Sequence, residues 1–407
     1  MNKIKIAIIG GGISGIACAY KLAKEGGDKF DIHIYEKHEH LGGRLYDIFA
    51  GRFILKSFSN TIWLLKEFNI MTETEEVTPK ELGTLTPDGK VLSGKAMQFY
   101  LMKEFLWRKK SFKLFSEMMK LIKYIQSLKF DLANFQSNIA EDIKKINFFD
   151  FRARYSKDIQ NFVINPTQMY IPNPEDMAKV SADRAIMMLW AIYGQKSMFY
   201  MSRAPKAYSE AFMKINQALG ITVHFNSSAE KIVKKDNGEY QINFNGGQTE
   251  NAAVVICTPP LIETQTILNK NFGIEYNWMR AMLIKGKFRY PQFKSILSAF
   301  PETNINQIYV WGDYQIVYPI NPWLKPEPGS KLPDVKLDID YLYDGGWEFV
   351  KEIWSVGMPL ITNQEVPSFK QDDNLYICGD FYGYTLLESA VFSGLKVAEE
   401  IIKKFDQ

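Results

Sequence analysis

An α/β fold is predicted by three features of this 407-residue sequence. The first is the stretch Ile4 to Glu36, which reads as strand, glycine turn, helix, strand and terminal acid. The second is Leu375 to Gly394, a strand followed by Gly379-Asp380 and the start of a helix. The third is length, which exceeds what one simple core serves, so two domains are expected. Residues 1–75, 208–262 and 366–407 are expected to form a Rossmann-like domain. Residues 76–207 and 263–365 are expected to form a discontinuous α+β domain, a mixed sheet with covering helices.

The N-terminal stretch carries the strongest chemistry. Ile4, Ile6, Ala7, Ile8 and Ile9 form an apolar run, as a strand buried on both faces requires. Gly10-Gly11-Gly12-Ile13-Ser14-Gly15 follows and contains G-x-G-x-x-G. Gly10 permits a tight turn, Gly12 keeps side-chain atoms away from a pyrophosphate, and Gly15 lets helix and strand pack closely. Ile16 to Glu25 reads as the helix, ended by Gly26-Gly27. The N–H groups at its start, near Ile13 and Ser14, offer partial positive charge to phosphates. Ile32, Ile34 and Tyr35 make a second strand, and Glu36 lies 21 positions after Gly15. That spacing suits an acid accepting from a ribose hydroxyl and disfavours a 2′-phosphate. Spacing alone does not separate NAD from FAD.

Ser59 to Asn69 reads as a helix capped by Ser59 or Asn60, and Pro87-Asp88-Gly89-Lys90 as a turn between short strands. Residues 95–130 are helical, basic and aromatic, with Leu114, Met118, Leu121, Ile125 and Leu128 at helical spacing. Between 101 and 130 there are eight Lys or Arg and two Glu. The favoured reading is a helix of the second domain with a solvated basic face; the other is weak contact with a membrane surface. Asp142 to Phe151, Ile159 to Val163 and Ser181 to Tyr193 continue as helices, broken by Pro172 and Pro174. Tyr208 to Ile232 reads as helix, glycine turn and strand, and Tyr240 to Phe244 alternates as a half-buried strand before the Asn245-Gly246 turn. Val254 to Cys257, Ala281 to Tyr290, Gln307 to Trp311 and Gln315 to Tyr318 read as further strands.

Composition narrows the classes. Apolar content of 46% and charged content of 23% are ordinary for a globular protein, and a net charge of +3 gives no case for nucleic acid. No apolar run approaches a membrane span, and the glycine-broken N-terminal run does not read as a signal peptide. Cys18, Cys257 and Cys378 each fall in an expected core element and form no C-x-x-C. They read as buried thiols in a reducing compartment, so the cytoplasm is the expected location. No metal site is expected.

Further motifs carry a resemblance. Leu41-Gly42-Gly43-Arg44 resembles the second dinucleotide signature of the flavin-containing amine oxidase superfamily, which includes protoporphyrinogen oxidases. Leu375 to Gly394 resembles that superfamily's closing motif, with Ser389 where a glycine is usual. Two softer matches lie between: Ala229 stands where the family has a valine near the adenine, and Val254 to Pro260 resembles its strand ending in A-x-P-P. The resemblance implies non-covalent FAD. It implies cofactor contacts from Gly10, Gly12, Ile13, Ser14, Gly15, Glu36, Lys37, Gly42, Gly43, Arg44, Ala229, Gly379, Asp380, Leu387 and Glu388.

It also implies an FAD-dependent oxidoreductase acting on a C–N or C–C bond of a small organic substrate. Trp354 lies in a W-x-x-G-x-P element resembling the family's W-x-x-A-x-P, and is expected to wall the flavin-facing cavity. The family's flavin-adjacent lysine corresponds to Lys285, with Lys287 open if the register slips by two. Amine oxidases place an aromatic two residues before the closing glutamate; here that position is Leu386, and Tyr384 lies two further back. Lys285, Trp354 and Tyr384 are therefore the expected catalytic set. An amine oxidase releasing peroxide and a non-redox flavoprotein isomerase are the alternatives.

Overall fold

The protein is described here by a computed structural model covering residues 3–46, 52–108, 111–132, 135–164, 167, 171, 174–202, 205–298, 305–319, 337–361, 366–384 and 386–406. Strand Ile4–Ile9 lies inside a six-stranded sheet, between Phe30–Tyr35 and Val254–Cys257, and pairs parallel with both. Thr222–His224 extends the sheet beyond Phe30–Tyr35; Leu375–Ile377 and the antiparallel Lys370–Asp372 extend it on the other side. Three distant stretches of chain thus share one sheet. Ile6 to Ile9 and Val254–Cys257 at its centre are buried, which explains their apolar runs.

Helices Ile13–Gly26 and Leu387–Phe405 pack together on this sheet. Gly394 allows the approach: a Cβ there would come within 2.2 Å of the Ser14 carbonyl oxygen. Gly15 does the same for helix against strand, since its Cβ would meet the Gly10 oxygen at 2.3 Å. The first helix starts at Ile13, three residues earlier than its apolar pattern indicates, because Gly12 serves as its N-cap residue.

The second sheet has seven strands, in the order Tyr343–Leu360, Glu275–Phe288, Tyr314–Pro319, Ile305–Trp311, Ser295–Ser298, Leu82–Leu85 and Val91–Leu92. Alternation gives it two faces. Ile296, Ile308, Val310, Val317 and Met282 pack into a core behind the sheet. Ser295, Leu297, Gln307, Tyr309, Tyr318 and Met279 face a cavity in front.

Three expected domain boundaries fall inside elements, one of them, 207/208, within helix Pro205–Ala218. Residue 75/76 lies within strand Thr74–Val77, which pairs with Met198–Met201, as does Phe53–Leu55. Residue 262/263 lies within helix Leu261–Leu268, which packs on strand Ala229–Lys234. Helix Phe112–Ser127 buries Met118, Leu121 and Ile125 and packs against helix Ala182–Tyr193, so its apolar stripe is core. The stretch before it, read as helical, divides into helix Gly94–Met102 and a π-helical turn, Lys103–Arg108. Of the expected break at Pro172 and Pro174, Pro174 opens helix Pro174–Ala178 and Pro172 lies outside the described residues.

Candidate functional site

One cavity of about 420 Å³ runs from the glycine turn to the front of the seven-stranded sheet. At its glycine end, Gly10 has φ +99°, a conformation that L side chains rarely adopt. A Cβ on Gly12 would meet nothing within 4 Å, so the backbone is bare where it faces the cavity. Helix Ile13–Gly26 has neither a side-chain cap nor an acid in its first turn. Its leading N–H groups are therefore available to an anion. The Gly42-Gly43 turn closes over this end: Gly42 N–H donates to the Gly11 oxygen at 2.8 Å, and Gly43 approaches Gly12 closely.

Charged groups cluster at the same end. One Glu36 oxygen accepts from the Gly11 N–H at 2.7 Å and the other from the His38 N–H at 2.9 Å, which fixes the carboxylate at the cavity wall. Lys37 pairs with Glu263 at 2.9 Å. Arg44 donates to the Gly357 carbonyl at 2.7 Å and to Asp380 at 2.6 Å. Burial alone would lower the Arg44 guanidinium, but the adjacent Asp380 carboxylate outweighs it and holds it above its ordinary value. Gly357 is glycine for a local reason: a Cβ would strike the Asn277 side-chain oxygen at 2.2 Å, the oxygen that accepts from the Met358 N–H.

Gly10, Gly12, Ile13, Ser14, Glu36, Lys37, Gly42, Gly43, Arg44, Ala229, Gly379, Asp380 and Leu387 all line this cavity. Gly15 does not line it; it sits against Gly10 as a packing residue. Glu388 departs from expectation. It is 1% exposed and turned away from the cavity, accepting from Asn60 N–H at 2.9 Å, Asn60 Nδ2 at 2.8 Å and Thr61 N–H at 2.8 Å. It thereby caps helix Ser59–Glu67, the role the sequence gives to Ser59 or Asn60.

The catalytic expectations are corrected more strongly. Lys285 is exposed at the far end of its strand, with Nζ 5.9 Å from the Tyr314 ring, and does not line the cavity. Lys287 is exposed as well, near Asp344. Tyr384 is buried among Phe130 and Phe135, its hydroxyl directed at the Phe135 carbonyl at 3.5 Å, and it too is off the cavity wall. The backbone of Trp354 pairs with Arg280, and its side chain lies outside the described residues. Its followers Ser355, Val356, Gly357 and Met358 do line the cavity.

The sheet end of the cavity was not assigned from sequence. Its wall includes Phe53, Leu82, Met198, Met279, Leu297, Tyr309 and Tyr318, with Ser295 and Gln307 as polar points. Gln307 Nε2 donates to Ser295 Oγ at 2.7 Å. Among the described residues, every charged group lining the cavity (Glu36, Lys37, Arg44, Glu263, Asp380) stands at the glycine end. The cavity therefore has a charged, backbone-rich half and a neutral, aromatic half.

Fold and site together define a mixed α/β protein with a dinucleotide-type glycine turn opening onto a second, apolar chamber. The family profile described as NAD(P)-binding Rossmann-like domain matches residues 8–73. Polyamine oxidase 1 of Oryza sativa subsp. japonica is 42% identical over 51 residues, 12% of this chain and 10% of that protein. The chain spans about a tenth of the length of the curated relatives it matches. Among solved structures, the CLA-producing fatty acid isomerase from P. acnes matches with a TM-score of 0.68 at 15% identity, covering 99% of this chain and 98% of the other. Cyclohexylamine oxidase from Brevibacterium oxydans IH-35A matches with a TM-score of 0.65 at 13% identity, covering 100% of both chains. The chain thus has a Rossmann-like domain within an overall fold that it shares with the cyclohexylamine oxidase structure.

Proposed function

We propose that this protein is an FAD-dependent oxidoreductase that oxidises a small organic substrate in the neutral half of the cavity. The observation that carries the reading is the continuity of that cavity: the bare Gly12 backbone and uncapped helix start open directly onto a chamber lined by Met279, Tyr309 and Tyr318. When bound, FAD supplies a hydride acceptor, flavin N5, for a C–N or C–C bond. The chain's own residues do the rest. Gly10, Gly12, Ile13 and Ser14 offer backbone N–H groups and space to the pyrophosphate. Glu36 would accept from a ribose hydroxyl, Ala229 would contact the adenine, and Arg44, held by Asp380, would meet the phosphates. The start of helix Leu387–Phe405, where Leu387 lines the cavity, would present its backbone N–H groups to the flavin edge. The apolar wall excludes water around the reacting carbon. No cysteine lines the cavity among the described residues, in keeping with a non-covalent flavin. The first, third and last segments form the FAD domain, with the boundaries shifted as the strands require. The buried free thiols support a cytoplasmic location.

The test is direct. The purified protein is expected to be yellow and to release FAD, rather than FMN or riboflavin, on acid precipitation. A colourless preparation that takes up no added FAD overturns the proposal. With FAD bound, anaerobic substrate is expected to bleach the flavin. Two alternatives draw on the relatives. The amine oxidases among them favour peroxide release from an amine. The neutral chamber admits such a substrate only as the uncharged amine, since an unpaired buried ammonium costs on the order of several kcal/mol. The isomerase favours conversion with the flavin never bleached.

A further inference from the structure

Helix Gly94–Met102 (GKAMQFYLM) is rich in apolar residues, yet none of them is buried. Met97, Tyr100, Leu101 and Met102 are half-buried, Leu101 against the core, while Phe99 is left on the surface. The most exposed large hydrophobic side chains described in the protein gather here: Phe112 at 73%, Trp107 at 58% and Phe99 at 55%. Phe99 and Trp107 meet edge to face, with ring centroids 6.0 Å apart, so they form one patch rather than scattered exposures. Phe105, in the same turn as Trp107, is fully buried and anchors the segment to the body of the protein. Lys95, Lys103 and Lys113, in the same stretch of chain, are exposed. Helix Phe112–Ser127 buries Met118, Leu121 and Ile125 on one side; at 100° per residue, Phe112, Lys113, Lys120 and Lys123 lie on the other.

We propose that the face formed by helix Gly94–Met102, Trp107 and the outer side of helix Phe112–Ser127 docks on the surface of an anionic lipid bilayer. Aromatic side chains at the tip and a basic collar behind them suit the interface between acyl chains and negatively charged headgroups. The charge is complementary to the cytoplasmic leaflet, and eight Lys or Arg against two Glu between 101 and 130 leave the segment strongly cationic. No described helix is long and apolar enough to cross a membrane, so the contact is made from one side. The surface lies apart from the cofactor cavity, and the inference stands whether or not the flavin reading holds.

Co-sedimentation tests it, with vesicles of phosphatidylcholine alone and of phosphatidylcholine containing one-third phosphatidylserine. The wild-type chain is expected to pellet with the anionic vesicles, and its binding to weaken steeply as salt rises. The F99S/W107S/F112S variant is expected to bind roughly tenfold more weakly or less, as is K113E/K120E/K123E, both with unchanged thermal midpoints. Brominated lipid is expected to quench a fluorescence component that W107F lacks. Equal binding by wild type and the aromatic variant overturns the proposal, as does no binding to the anionic vesicles. A concentration-dependent dimer that the aromatic substitutions dissociate also overturns it, assigning the patch to a second copy of the chain.

Discussion

Replacing Gly12 by valine is expected to leave the protein folded and to abolish binding of the proposed flavin. Gly12 has φ −71° and ψ 174°, a backbone conformation any residue adopts, and a Cβ there meets nothing within 4 Å. The added Cβ therefore meets no protein atom. It projects into the space where the proposed pyrophosphate must touch backbone. Affinity for FAD is expected to fall by ~100-fold or more, about 3 kcal/mol, with the thermal midpoint of the cofactor-free protein unchanged. Gly15→Val is the matched control with the opposite outcome. Its Cβ would press on the Gly10 oxygen at 2.3 Å, so stability is expected to drop by about 1–3 kcal/mol in the cofactor-free protein. Flavin titration and denaturant unfolding on both variants separate binding from packing. A Gly12→Val protein that holds FAD as well as wild type sinks the assignment of the glycine turn.

Glu388→Ala is expected to be the most destabilising single truncation near the site. The carboxylate is buried and accepts from two backbone N–H groups and one side-chain amide at the start of helix Ser59–Glu67. Those donors lose a charged acceptor and gain no water, which costs about 3 kcal/mol. Glu388 also sits in the first turn of helix Leu387–Phe405, so one negative charge serves two positive helix ends. Glu388→Gln is expected to recover part of the loss. Denaturant midpoints of the two variants provide the measurement. If stability is unchanged while FAD release accelerates, Glu388 acts on the cofactor after all.

What could be read in advance was what lies contiguous in the chain. Strand, glycine turn, helix and acid follow one another within Ile4 to Glu36, and each constrains the next. The Gly12 environment and the cavity-lining position of Glu36 follow from that local order. The sheet half was hidden because its strands are buried on both faces. Ser295 beside Ile296, Gln307 beside Ile308 and Tyr309 beside Val310 give no clean alternation from which to choose the cavity side. Glu388 was misjudged because its partners lie 328 and 327 positions away. Lys285 lies on Glu275–Phe288, a strand of 14 residues from which Met279 lines the cavity and the later part does not. Tyr384 fills a gap against Phe130 and Phe135, a hairpin region whose position over the C-terminal helix no local pattern encodes.

The central sheet sets an order of assembly during synthesis. Ile4–Ile9 can pair with Phe30–Tyr35 early, but its other edge waits for Val254–Cys257, and that strand in turn waits for Leu375–Ile377. An emerging chain therefore carries an open, apolar strand edge for most of its translation, a template for mispairing until its last elements leave the ribosome. Yield in a foreign host should respond to slower expression and to holding chaperones.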